Sequence, residues 1–204
     1  MNKNMMRAAV MVTSLVLAGN VFGQTIFNGY AYTTSGSTPG ISSTWYNLGG
    51  SAQSLTFHDA DLGVFEDFLW LGGQTGIWSD GSGVASATLF YDIGGDATHS
   101  GSISYTFQSF SEPDDQWGTD VNGANATDLS VNLIGTHSLT PGNYTISVWV
   151  QGIMNDNDEV FDSRGGLNHT ADFTVIPEPS SIIMMGLAGL AAGGLTVLKR
   201  RKQS

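Results

Sequence analysis

The sequence predicts an all-β domain, an antiparallel β-sandwich of immunoglobulin-like or jelly-roll type, followed by one C-terminal transmembrane helix. Three observations carry this expectation. Apolar and polar residues alternate with period two in several short segments of the middle of the chain. Turn signals separate those segments, in a chain of 204 residues with 27 Gly. An uncharged run of 17 residues, Ile182 to Leu198, stands near the C-terminus. As a helix it covers about 25 Å, close to the hydrocarbon thickness of a bilayer.

The strands follow in chain order. Segments near Ile26–Thr33, Ser54–His58 and Val64–Leu71 come first. Ala87, Leu89 and Tyr91 then alternate with Thr88 and Asp92, with Phe90 out of step. Ile103, Tyr105 and Phe107 alternate with Ser104, Thr106 and Gln108, and Leu129, Val131 and Leu133 with Ser130 and Asn132. Tyr144, Ile146, Val148 and Val150 alternate with polar neighbours, although Trp149 falls on the polar face; Ala171, Phe173 and Val175 close the series. Each pattern describes a strand with one buried face. Turns are expected at Asp80-Gly81, Gly94-Gly95, Asn122-Gly123 and Pro141-Gly142-Asn143. Long crossover loops are expected at Ser35–Thr44 and Ser111–Ala126, and no helical period runs through the middle.

Both ends read as targeting segments. Lys3 and Arg7 precede an apolar stretch from Ala8 to Leu17, and Val21-Phe22-Gly23 offers small residues for cleavage between Gly23 and Gln24. Residues 1–23 are therefore expected to be a signal peptide, 24–174 the extracellular domain and 175–204 a sorting segment. The domain, about 150 residues, is large enough for a real core. Its 10 Phe, 6 Tyr and 5 Trp supply one, and with no Cys it relies on that core rather than on disulfides.

Charge separates these parts. Between Gln24 and Ile176 stands one base, Arg164, against 17 of the chain's 18 acids, a formal charge of −16. Such a body repels nucleic acid. The remaining bases lie outside it, four of them in the cluster Lys199, Arg200, Arg201 and Lys202, which favours a cytoplasmic tail.

The C-terminal order is specific: Pro177-Glu178-Pro179, an apolar run rich in small residues, then that basic cluster. Two prolines keep the tripeptide extended. This segment resembles the PEP-CTERM sorting signal. The resemblance implies export by a Gram-negative bacterium that makes exopolysaccharide. An exosortase-type processing enzyme would be the partner, recognising Pro177, Glu178 and Pro179, with Lys199, Arg200, Arg201 and Lys202 as the stop. It implies anchorage in the inner membrane before processing, then the cell surface or extracellular matrix. It covers about the last 28 residues and is silent on the rest.

For the domain itself the expected role is structural or exopolysaccharide-associated. The alternative is a carbohydrate-binding module, with Trp45, Trp78 and Trp117 as a stacking platform. A calcium site is the one cofactor expectation, at Asn155, Asp156, Asn157, Asp158, Glu159 and Asp162, six oxygen-bearing side chains in eight residues. Glu112, Asp114, Asp115 and Asp120 form a second acidic cluster. No Gly-x-Ser-x-Gly elbow occurs, and His58, His99, His137 and His169 are scattered without ligand spacing, so no catalytic residue is expected. A polysaccharide-acting enzyme is the remaining alternative, requiring two facing carboxylates.

Overall fold

The structure, a computed structural model, describes residues 24–38, 43–48, 55–79, 83–111, 114–119 and 129–178. The expected signal peptide, the apolar run and the basic cluster lie outside those residues. In chain order the strands are β1 (Thr25–Thr34), β2 (Thr44–Asn47), β3 (Ala60–Phe65), β4 (Trp70–Trp78), β5 (Val84–Gly95), β6 (His99–Ser104), β7 (Thr106–Ser111), β8 (Asp114–Gly118) and β9 (Val131–Asn132). A single-turn helix α1 (Leu133–His137) follows, then β10 (Gly142–Met154), β11 (Glu159–Asp162) and β12 (His169–Val175).

These strands make two sheets. One has the order β2-β1-β4-β8-β7, with β9 also on β4. The other has the order β3-β12-β10-β5-β6, with β11 also on β10. In the second sheet β5 and β10 pair along nearly their whole lengths, and their buried residues stand in register: Val150 opposite Leu89, Val148 opposite Tyr91, Ile146 opposite Ile93. The first sheet adds Ala31, Leu71 and Ile77, and α1 adds Leu133 and Ile134, to the same apolar cluster. The residues that broke the sequence pattern are explained by a cross-strand pair. Phe90 and Trp149 are partners in register and stack on the opposite face, 5.5 Å between centroids with planes 9° apart.

Several expectations are corrected. The second sheet is mixed, because β12 runs parallel to β3. Of the expected strand Ser54–His58 the described residues 55–58 form only an isolated bridge, Thr56 to Asn47. Val64–Leu71 is broken at Glu66–Leu69, where the chain leaves β3 of one sheet and enters β4 of the other. The pattern Leu129–Leu133 yields only the two-residue β9 before α1 begins, since Leu133 and Ile134 reach the core from a helical turn. The Ile103–Gln108 pattern is split at Tyr105. Before it β6 belongs to the second sheet, and after it β7 belongs to the first. A change of sheet requires a corner, and the expected buried face does not survive it: Ile103 and Tyr105 are buried, but Phe107 beyond the corner is 48% exposed and lies edge-on to Trp117. The expected loop Ser35–Thr44 ends at the first residue of β2, whereas the expected loop Ser111–Ala126 contains the whole of β8. The turn Asp80-Gly81 and the turn Asn122-Gly123 lie outside the described residues.

Strand β4 was the hardest to foresee, because its Gly72-Gly73 pair carries no pattern. A Cβ at Gly72 would fall inside the Tyr32 ring on one face, and a Cβ at Gly73 would meet the Tyr105 hydroxyl on the other. The glycines are there to let two tyrosines cross the strand closely. Tyr105 is buried, and among the described residues its hydroxyl has no hydrogen-bond partner. Burial first, then the charges of Tyr32 and Asp162, push its phenol far upward, so it stays neutral. Tyr105→Phe is therefore expected to stabilise the protein by about 1 kcal/mol, read as a rise in Tm; a fall in Tm would show that the hydroxyl has a partner.

Candidate functional site

The C-terminal segment leaves the body directly from a sheet. Val175, the last residue of β12, is level with Phe65 at the end of β3. The next amide, Ile176 N, donates to Phe65 O at 2.9 Å. Pro177 follows half-buried and Glu178 exposed; Pro179 lies outside the described residues. The bend Glu66–Leu69 that flanks this exit is tied down by Asn132, whose Oδ1 accepts from Leu69 N at 3.3 Å and whose Nδ2 donates to Asp67 O at 3.3 Å. Thus no slack separates the folded domain from the tripeptide.

Carboxylates crowd this exit. Desolvation, then a hydrogen bond to Glu178 and its charge, then the charge of Glu66, raise the Asp67 carboxyl above its ordinary 3.8. A protonated Asp67 donates to the Glu178 carboxylate, whereas two ionised carboxylates repel. An acid raised by folding favours the fold below its ordinary pKa, and that contribution is lost as pH rises through the raised value. The Asp67 contribution should therefore be lost as pH rises through the raised value, read as a Tm difference between the parent and Asp67→Asn that shrinks with rising pH and a shallower slope in the variant. An unchanged slope in the variant would mean that the Asp67–Glu178 contact does not couple to folding.

Residues 175–202 match the family model of the PEP-CTERM protein-sorting motif. The chain carries a PEP-CTERM sorting motif. Such a motif indicates exosortase-dependent sorting of an exported surface protein, with an exosortase as processing partner. The match covers the C-terminal segment and leaves the β-rich body unassigned. No curated protein matches the chain. Among the described residues no helix is long and apolar enough to cross a membrane, and the run Ile182–Leu198 within the PEP-CTERM motif lies outside them.

The other candidate residues sit on the body that precedes the PEP-CTERM motif. Trp45, Trp78 and Trp117 do not form one platform. Trp45 is 40% exposed and tilts against Tyr32 at 4.8 Å on the first sheet. Trp78 lies on the same sheet six residues along β4 from Gly72, the register partner of Tyr32, hence about 20 Å away. Trp117 stands opposite Thr75, a fully buried residue, and packs against the core. The aromatic neighbour of Trp45 is thus a tyrosine. Trp70, on the same strand as Trp78, stacks on Phe68 and donates its Nε1 to Gly36 O at 2.9 Å.

The six oxygen ligands expected for calcium are divided. Asn155–Asp158 form the turn between β10 and β11, closed by Met154 N to Asp158 O at 2.8 Å. Asp156 Oδ1 accepts from Asp158 N at 3.1 Å, an Asx turn, and its Oδ2 accepts from Gln24 Nε2 at 3.2 Å. Glu159 and Asp162 lie on β11, and Asp162 points away to His169 Nε2 at 3.1 Å. Among the described residues no group of three or more histidines and carboxylates could hold a metal ion. In the second acidic cluster Asp115 is buried and accepts from Val84 N at 3.1 Å, a structural tie from β8 to β5; Glu112 and Asp120 lie outside the described residues. Of Asp114 only the backbone, at the start of β8, is described.

Two features were not foreseen. A polar groove of about 470 Å³ on the second sheet is lined by Asp61, Asn143, Thr145, Asp172 and Thr174, over Tyr144 and Phe173. Asp61 and Asp172 are neighbours in register across the parallel pair β3–β12. Both are exposed, and each accepts a hydrogen bond, from Gly63 N at 2.9 Å and from Thr145 Oγ1 at 2.7 Å. A general acid for glycoside hydrolysis needs a desolvated carboxyl, so this geometry favours a hydrated polar surface over a catalytic pair. The second feature is histidine pairing: His99 and His137, 38 positions apart in sequence, lie ring to ring. His58 and His169 instead serve the β11–β12 connection, bonded to Thr170 and Arg164 and to Asp162 respectively.

Proposed function

We propose that the protein is a structural component of the cell surface or extracellular matrix, built as a β-sandwich of immunoglobulin-like or jelly-roll type and associated with exopolysaccharide. It is exported by its N-terminal signal, held at the inner membrane by its C-terminal helix and released from it by an exosortase-type enzyme. The single observation that carries this reading is the exit geometry. The chain leaves β12 with the Ile176 amide still bonded to β3, and Glu178 two residues on is exposed to solvent. A processing enzyme can grip an extended tripeptide there without unfolding the body, and the released product is the complete domain. An acidic, disulfide-free body suits a hydrated polysaccharide matrix, where net charge opposes self-association.

Mass spectrometry of the protein from its native host tests this. Expected termini are Gln24 at one end and a residue within or near Pro177–Pro179 at the other. A native protein that retains Lys199–Lys202, or that starts at Met1, overturns the reading.

The second reading, carbohydrate binding, is favoured by Trp45, the one tryptophan both well exposed and seated on a buried aromatic partner. Trp45→Ala would abolish retention on the host polysaccharide if that reading holds, and Trp117→Phe would not.

A further inference from the structure

We propose that His99 and His137 form a two-histidine site for a divalent transition-metal ion, held at the rim of the core by Tyr91. The site is assembled by the tertiary fold. His99 opens β6, His137 closes α1, and Tyr91 stands in the middle of β5. The two imidazole centroids are 4.8 Å apart with planes tilted by 35°. Two nitrogens bound to one ion at about 2.0–2.1 Å lie roughly 3 Å apart, with ring centroids near 5–6 Å, so the observed centroid separation is close to that of a chelating pair.

The supporting contacts resemble those that orient a metal ligand. Tyr91 Oη and His137 Nε2 are 2.9 Å apart. Tyr91 is 3% exposed, and burial raises its phenol, so it remains a neutral hydroxyl. When His137 carries its proton on Nε2, that N–H donates to Tyr91 and leaves the Nδ1 lone pair for an ion, the usual arrangement in which a ligand's second nitrogen is fixed by a neighbour. Tyr91 is itself placed by Gly101, its register partner on β6, where any Cβ would strike the Tyr91 hydroxyl. Both histidines are part-exposed, which leaves room for water to complete the coordination. Imidazole pairs suit Cu²⁺, Ni²⁺ and Zn²⁺ rather than Ca²⁺, with Cu²⁺ bound tightest.

The competing account is that the rings merely pack. His99→Phe separates the two, since it preserves a ring against His137 and removes the ligand. Detergent-solubilised full-length chain is titrated with Cu²⁺ and with Ni²⁺ by calorimetry, and the Cu²⁺ complex is read by electron paramagnetic resonance. The expected result is saturable 1:1 binding with two coordinated nitrogens, weakened at least about tenfold in His99→Phe and in His137→Gln, and by a smaller factor in Tyr91→Phe. His58→Ala is expected to bind like the parent. Absence of saturable binding in the parent chain overturns the proposal, as does unchanged affinity in either folded histidine variant, each checked by its melting curve.

Discussion

Replacing Pro177, Glu178 and Pro179 together by alanine is expected to leave the chain unprocessed and membrane-bound, with a folded body. The reason lies on both sides of the tripeptide. Upstream, β12 ends at Val175 and the last bond to the sheet is Ile176 N to Phe65 O, so the body loses nothing when the next three residues change. Downstream stands an apolar run rich in Ala, Gly and Leu. Prolines lack an N–H and disfavour helix in the residue before them, so Pro177 and Pro179 oppose any spread of helix toward the sheet. Alanine, the best helix former, removes that barrier and lets the segment wind up against β12. An enzyme that grips an extended strand then meets a helix without the Glu178 carboxylate. Processing should slow by at least about tenfold, equivalent to ~1.4 kcal/mol in the barrier. Pulse-chase immunoblotting in hosts with and without exosortase measures it. Normal release of the alanine variant would sever the motif from the sorting step.

Phe173→Ala is expected to destabilise the body by about 3–5 kcal/mol, because it empties a site in the middle of the core. Phe173 is 2% exposed. Its ring lies 5.3 Å from Tyr144, near-parallel at 20°, and 6.5 Å from Phe65, edge-on at 72°. Those partners come from β10 and β3, the two strands that sandwich β12, so the loss loosens the strand that presents the sorting motif. Chemical denaturation gives the stability change. The functional consequence is a second readout: proteolysis upstream of Pro177 should rise. Asp172→Ala, one position away on the exposed face, should cost under about 1 kcal/mol, since it removes only the acceptor for Thr145. Equal effects at the two positions would place the core elsewhere.

The contrast between those neighbours also marks what was legible in the sequence. Strands β5, β10 and β12 were readable because each buries every second residue on a single sheet, and alternation is a property of the strand alone. Strand β4 was not, because its outward and inward positions at Gly72 and Gly73 are emptied to admit Tyr32 and Tyr105 from other elements. Strands β2 and β8 lie in loop-like sequence, where Trp45 and Trp117 have the appearance of surface aromatics. The sorting motif was the most legible part of all, since its three features act through local properties: proline stiffness, apolar length and terminal charge. Spacing did not show how the residues of the calcium and tryptophan expectations are arranged, because Asp162 bonds to His169 and Trp117 packs against the core once the strands pair.

The amino-acid order alone fixed that this chain is β-rich, nearly free of bases in its body, and tagged for sorting at its C-terminus. Only the tertiary structure decided which sheet each strand joins, that β3 lies parallel to β12, that the motif leaves from a strand paired on both sides, and that His99 meets His137. The division has one physical cause. Alternation, charge and proline restriction act within a few residues of the chain, whereas pairing and side-chain encounters depend on closing loops between distant segments, a choice governed by the whole core at once.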